Sequence, residues 1–335
     1  MNIILLSGGS GKRLWPLSND VRSKQFLKVF KTESGDRESM VQRVYRQIRT
    51  VDPEAKVTIA TSREQAPSIY EHLGENVGIS VEPCRRDTFP AIALASAYLA
   101  DARGVKRDEA VVVCPVDPYV DEAYFHGLRS LAGQAAKGEA RLVLMGIEPD
   151  GPSEKYGYII PENGGQVSRV LAFQEKPDKK TAEEYIRQGA LWNGGVFAYR
   201  LGYVLDRAHE LMDFKDYEDL LGKYETLPSI SFDYAVVEHE DQIQVMRFLG
   251  QWKDLGTWNA LTESMEENCV GDAVMDERCG NVHIINELGI PVLAMGLKDV
   301  VICASPDGIL VSDKEQASAI KPYVDRIREK RQGGF

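Results

Sequence analysis

No stretch of this 335-residue chain reaches the roughly eighteen consecutive apolar residues that a membrane span needs. The only early apolar run, IILL at 3–6, has no charged leader before it and reads as a strand, so a cytoplasmic protein is the expectation. Histidine is scarce: there are five, none in an H-E-x-x-H pair, which removes the common zinc-hydrolase arrangement. The five cysteines are odd in number and widely scattered. They offer neither a disulfide framework nor paired zinc spacing, and each reads as a buried or incidental thiol. Basic residues are outnumbered, 40 against 51 acidic, for a formal charge of −11. A general nucleic-acid binder would show the opposite balance or a basic stripe. A small anionic substrate is still compatible, because a local cluster of cations can oppose the global sign.

What is present is a run of strands separated by helical segments. VTIAT (57–61), EAVVVCPVD (109–117) and RLVLMGI (141–147) are apolar nearly throughout. Such strands belong to a mostly parallel sheet covered on both faces. Apolar positions from Ser39 to Ile48 recur at helical spacing, and Thr88 opens another helix with Pro90 in its first turn. Beyond about residue 150, YGYII and VLAFQEK predict antiparallel sheet segments. Thr181 and Glu184 have the spacing of a capping box, with Gly189 placed to end that helix. A strand at 242–249 and a helix from Thr257 come next. The tail is a series of short β pieces, and a fragment of a coiled β-helix is one reading of it. Expected boundaries are 1–262 for a catalytic domain, with halves meeting near 150, and 263–335 for a small β domain. The fold class is α/β: a Rossmann-like mixed sheet with that β appendage.

The chain opens LSGGSGKRLWPLS. Glycines permit close backbone approach, and freed amides beside Lys12 and Arg13 suit an anion. Neither common phosphate loop fits. Lys12 is followed by Arg13 and not by Ser or Thr, and the G-x-G-x-x-G spacing ends on Leu14. With SKQFLKVF at 23–30, this string resembles the signature of the sugar-1-phosphate nucleotidyltransferases, and its Trp-Pro-Leu-Ser form resembles the mannose-1-phosphate guanylyltransferase branch. EPCRRDTFPAIALA (82–95), YGYI (156–159), FQEKPD (173–178), LWNGGVF (191–197), SFDYAVVE (231–238) and WKDLGTW (252–258) fit the resemblance in order.

That resemblance implies attack by a sugar 1-phosphate on a nucleoside triphosphate, with loss of pyrophosphate and Mg2+ as cofactor. GTP and mannose 1-phosphate are the first expectation, and another base (CTP, UTP or dTTP) or another hexose 1-phosphate is the alternative. No protein nucleophile is required, so positioning and electrostatic stabilisation should dominate. Arg13 and Lys24 are implied to contact the triphosphate, with Asp117 and Asp254 as the metal pair; capping of a following helix is the structural alternative for Asp117. Leu6, Gly8, Gly9, Gly11, Lys12, Arg86, Asp87 and Pro115 complete the expected nucleotide side. On the sugar side the resemblance implies Gly157, Tyr158, Glu175, Lys176, Asn193, Gly194 and Asp233, with Lys176 pairing the sugar's phosphate. The tail leaves open self-association as a homodimer or packing on the catalytic domain.

The chain also departs from that pattern. Pro118 stands where the family has histidine after the metal aspartate, and Asp87 replaces an amide in the Arg-Asn-Thr block. Glu154 adds negative charge near the expected sugar side. These differences touch specificity more than reaction class.

Overall fold

The computed structural model describes residues 1–9, 12–19, 22–32 and 34–332. The chain divides into two compact units: Met1–Gly8 with Tyr45–Val116 and Val120–Trp252, and Gly9–Val44 with Asp117–Tyr119 and Lys253–Phe335.

The first unit is built on nine strands: β1 (Asn2–Ser7), β2 (Lys56–Ser62), β3 (Gly78–Glu82), β4 (Ala110–Pro115), β5 (Leu142–Ile147), β6 (Gly157–Pro161), β7 (Val167–Gln174), β8 (Leu191–Arg200) and β9 (Ile243–Phe248). Their order across the sheet is β3-β2-β1-β4-β8-β5-β9-β7-β6. The first four are parallel, as their continuous apolar runs require: Ile3, Ile4, Leu5 and Val111–Cys114 are all fully buried. β8 enters antiparallel between β4 and β5, and its register shifts between Asn193 and Phe197. Gly195, at φ +70°, supplies the backbone turn within that shift. β6 and β7 pair antiparallel, as YGYII and VLAFQEK predict.

The helix Thr88–Asp101 is apolar on all sides because it is buried on all sides, with ten residues in the core. Its polar Ser96 is satisfied by Tyr199, hydroxyl to hydroxyl at 3.1 Å. One expectation shifts. Thr181 does not cap the next helix; Asp178 does, accepting from the Thr181 N–H at 2.8 Å, so the helix begins at Lys179. A carboxylate three residues before a free amide makes that cap as well as a hydroxyl can.

In the second unit, Leu14, Leu17, Leu27, Phe30 and Met40 share a core with Leu255, Trp258 and Leu261. The tail strands β10 (Cys269–Val270), β11 (Ala273–Met275), β12 (His283–Asn286), β13 (Val292–Ala294) and β14 (Val300–Ser305) alternate between two parallel ladders, β10-β12-β14 and β11-β13. That alternation is the winding of a short β-helix. β15 (Gly308–Asp313) closes it by folding back antiparallel on β14. The sequence pattern makes the tail wholly β-rich, yet Lys321–Gln332 is a helix. Among the described residues, no helix is long and apolar enough to cross a membrane.

Phe232, fully buried, contacts Phe89, Phe197 and Tyr199 through its ring and so ties a helix to β8. Phe232→Ala is expected to lower unfolding free energy by about 3–5 kcal/mol, read by denaturant titration.

Candidate active site

β1 and β4 lie side by side and run the same way, with Leu6 opposite Pro115 at their carboxyl ends. Such ends are where open α/β sheets bind ligands. The chain leaves β1 into Gly8 and Gly9; Gly11, the Lys12 side chain and Ser10 lie outside the described residues. Arg13 is exposed in the turn Lys12–Leu14, with no ion pair among the described residues.

Lys24, Asp117 and Asp254 come together in the second unit. The Lys24 Nζ lies 2.6 Å from Asp117 Oδ2 and 3.3 Å from Asp254 Oδ1. Neighbours in the chain fix each partner. Gln25, Phe26 and Leu27, directly after Lys24, are buried. Asp254 is followed by Leu255 in the core and by Gly256, where a Cβ would stand 3.1 Å from both carboxylate oxygens. Thr257 then caps Trp258–Glu263, accepting from the Ala260 N–H, and Trp258 is fully buried. Pro118–Val120 and Trp252–Asp254 form a two-stranded ribbon next to the two aspartates. Asp117 is therefore an ion-pair partner of Lys24. Burial alone would lower the Lys24 pKa, but the charges of Asp117 and Asp254 and their hydrogen bonds outweigh it, so the ammonium is held charged.

A second cluster forms in the first unit. Asn193 donates from Nδ2 to Asp233 Oδ1 at 2.6 Å and accepts the Gly195 N–H at 3.1 Å. Burial, and then the negative charge of Glu175, raise Asp233 to about 6 despite the Asn193 bond. Glu175 pairs with Lys176 at 2.5 Å, and the Lys176 backbone sits at φ +45°, unusual for a residue with a side chain. Gly157 lets the Glu175 carboxylate approach its backbone: a Cβ there would meet Glu175 Oε2 at 2.5 Å. Gly194 packs against Ile147 and the Trp252 ring. Tyr158 has a structural task. It is fully buried, and its hydroxyl accepts from the Ser153 N–H at 2.9 Å.

The nucleotide-side residues of the RRD block are also engaged. Asp87, at φ +66°, caps the helix Thr88–Asp101 through the Thr88 N–H at 2.7 Å, and Arg86 donates to the carbonyl of Glu225. Glu154 accepts the Lys179 N–H at 3.3 Å. A residue that sequence reasoning passed over stands out instead. Glu82, the last residue of β3, is buried, and its Oε2 accepts from the Tyr224 hydroxyl at 2.7 Å. A Cβ on Gly8 would lie 3.6 Å from its Oε1. Burial raises Glu82 to about 7, against the Tyr224 bond and the Arg85 charge. Folded Glu82 and Asp233 bind protons more tightly than ordinary carboxylates. Each therefore withdraws stability as pH rises from the usual carboxylate range to its own value. The signal in the sequence was twofold: Glu82 is the first residue of the EPCRRDTFPAIALA block, and it is a carboxylate ending a parallel strand.

Residues 2–269 match the nucleotidyl transferase family. The chain belongs to that family, among the sugar-1-phosphate nucleotidyltransferases. A xanthan biosynthesis protein from Xanthomonas campestris is 31% identical, covering 97% of this chain and 73% of that protein. The Escherichia coli (strain K12) mannose-1-phosphate guanylyltransferase shows the same identity and coverage. A solved Thermus thermophilus structure, named as a mannose-1-phosphate geranyltransferase, superposes with a TM-score of 0.78 at 28% identity and 98% coverage of both chains. The nucleotidyltransferase moves a nucleotidyl group from a nucleoside triphosphate to a sugar 1-phosphate. The resemblance drawn from the motif blocks, the fold class and the reaction class all hold.

No cluster of three or more His, Cys, Asp or Glu side chains that could hold a metal occurs among the described residues. The acidic pair does fit a hard divalent cation in its chemistry: two carboxylates, about a third exposed, leave positions for water and substrate oxygens. Lys24→Met removes the ammonium that bridges them. It is expected to lower kcat about 10²–10³-fold in a pyrophosphate-release assay, with far less effect on KM for the sugar phosphate.

Proposed function

We propose that this nucleotidyltransferase joins GTP and mannose 1-phosphate to give GDP-mannose and pyrophosphate. A phosphate oxygen of the sugar substrate attacks the α-phosphorus and the β–γ pyrophosphate departs, so the chain's own groups position and neutralise. In this reading Asp117 and Asp254 hold Mg2+, which supplies Lewis-acid stabilisation of the phosphate charge when bound. Lys24 and Arg13 face the triphosphate, with Leu6, Gly8, Gly9, Gly11, Lys12 and Pro115 around the nucleotide. Lys176 takes the sugar's phosphate, while Glu175, Asn193 and Asp233 serve its hydroxyls, with Gly157 and Gly194 allowing the close packing this needs.

The observation that carries the guanine assignment is Glu82. Its Oε1 lies beside Gly8, where the chain leaves β1. An ionised carboxylate accepts two hydrogen bonds side by side, and guanine offers two donors on one edge, the ring N1–H and the N2 amine. Asp87, whose carboxylate caps a helix, is less suited to that task. The names of the relatives support the same pairing.

Pyrophosphate release with Mg2+ should be confined to GTP and mannose 1-phosphate in a panel of five nucleotides and several hexose 1-phosphates. Activity with another pair would reassign the substrates and leave the reaction class intact. Because Glu82 must be ionised and has a pKa of about 7, KM for GTP is expected to fall as pH rises from about 6 to about 8. Glu82→Gln should raise KM for GTP roughly tenfold and flatten that pH dependence.

A further inference from the structure

The match to the family ends at residue 269, and the expected catalytic boundary was 262. The segment that carries Lys24, however, is fastened to residues beyond both. Ser305 Oγ donates to the Pro16 carbonyl at 2.8 Å, in a fully buried contact. Gly308, at φ +149°, comes so close to Trp15 that a Cβ there would stand 2.6 Å from the indole ring. Asn19 donates from Nδ2 to Asp307 Oδ2 at 2.6 Å, and its own Oδ1 accepts the Arg22 N–H at 2.7 Å. The Arg22 guanidinium then meets both carboxylate oxygens of Glu287, Oε2 at 2.6 Å. Such a fork-to-fork pair fixes direction as well as distance.

These anchors hold the residues that come next in the chain. Ser23, fully buried, donates to the Gly9 carbonyl at 2.7 Å, and Lys24 then enters the ion pairs with Asp117 and Asp254. Asp307 and Glu287 thus grip Asn19 and Arg22, immediately before the residues that reach the glycine loop and the acidic pair. All of these groups belong to one unit.

We infer that Glu287 and Asp307, in the C-terminal β region, are positioning residues for nucleotidyl transfer: they set Ser23 against Gly9 and Lys24 between its aspartates. The inference rests on the assignment of Lys24 to the triphosphate. Without the Glu287 carboxylate, an arginine two residues from Lys24 is released and the backbone between them loses its fixed direction. The tail is therefore part of the machinery and more than a cap on the chain.

The test uses the full chain, steady-state kinetics for both substrates and melting temperature. Glu287→Gln and Asp307→Asn keep shape, so folding should persist. Each is expected to lower kcat/KM for the triphosphate about five- to tenfold, with KM for the sugar phosphate within about twofold and the melting temperature nearly unchanged. Glu287→Arg should lose more, and Arg22→Glu combined with Glu287→Arg should recover most of that loss. Arg278→Ala, which breaks an exposed pair with Asp276 in the same β region, should leave the kinetics alone. Wild-type kinetics in Glu287→Gln and Asp307→Asn, or a Glu287→Arg loss that the charge swap does not recover, would overturn the inference. So would losses equal for both substrates that track the melting temperature. An inert Lys24→Met would sink the reading of Lys24 and the inference with it. A disabled Lys24→Met beside wild-type Glu287 and Asp307 variants would sink the inference alone.

Discussion

One ammonium between two carboxylates governs how the second unit is built. Lys24 is mostly buried, and taking a cation out of water is tolerable only where opposite charge and hydrogen bonds replace the solvent. Asp117 and Asp254 do this, but they sit far apart in the chain, one at the end of a core strand and one in a tryptophan-flanked loop. Bringing them to the same lysine forces three separate segments to share one apolar core. Leu14, Leu27, Phe30, Leu255 and Trp258 are the material of that core, with Tyr119 from the Asp117 segment packed against it. At rest the two acids and the ammonium neutralise one another.

The first unit meets a different constraint. Its sheet is continuous and apolar where the strands are parallel, and irregular where β8 turns the other way. The break in register after Asn193 lies where an amide, two glycines and a half-buried aspartate come together. A regular strand would have sent every second side chain to the opposite face. Within the irregularity the Gly195 N–H bonds back to Asn193 Oδ1 and so fixes the amide that donates to Asp233.

Much of this was legible in the residues. The apolar runs gave the parallel strands because burial on both faces leaves no room for alternation. The motif blocks singled out Lys24, Asp117 and Asp254, and the fold brings these three side chains together. Other features were harder to read. Glu82 heads the EPCRRDTFPAIALA block, but only the fold shows that its carboxylate is buried under Tyr224 and turned toward Gly8. The cap at Asp178 and the one expected at Thr181 are both locally sound, and tertiary packing chose between them. The helix Lys321–Gln332 is mostly charged, and its apolar stripe is reduced to Val324 and Ile327, too short a pattern to be read as a helix. The hold of Glu287 and Asp307 on Arg22 and Asn19 spans most of the chain, and local pattern cannot report it.

Lys176 carries a consequence for how this protein could change. Its left-handed backbone costs on the order of 1 kcal/mol in any residue with a Cβ, and glycine would remove that cost. Selection for thermal endurance alone would therefore favour glycine at 176 and discard the ammonium that pairs with Glu175. A lineage that keeps lysine there accepts a less comfortable chain in exchange for a charge. Directed evolution toward heat resistance should hold this position fixed.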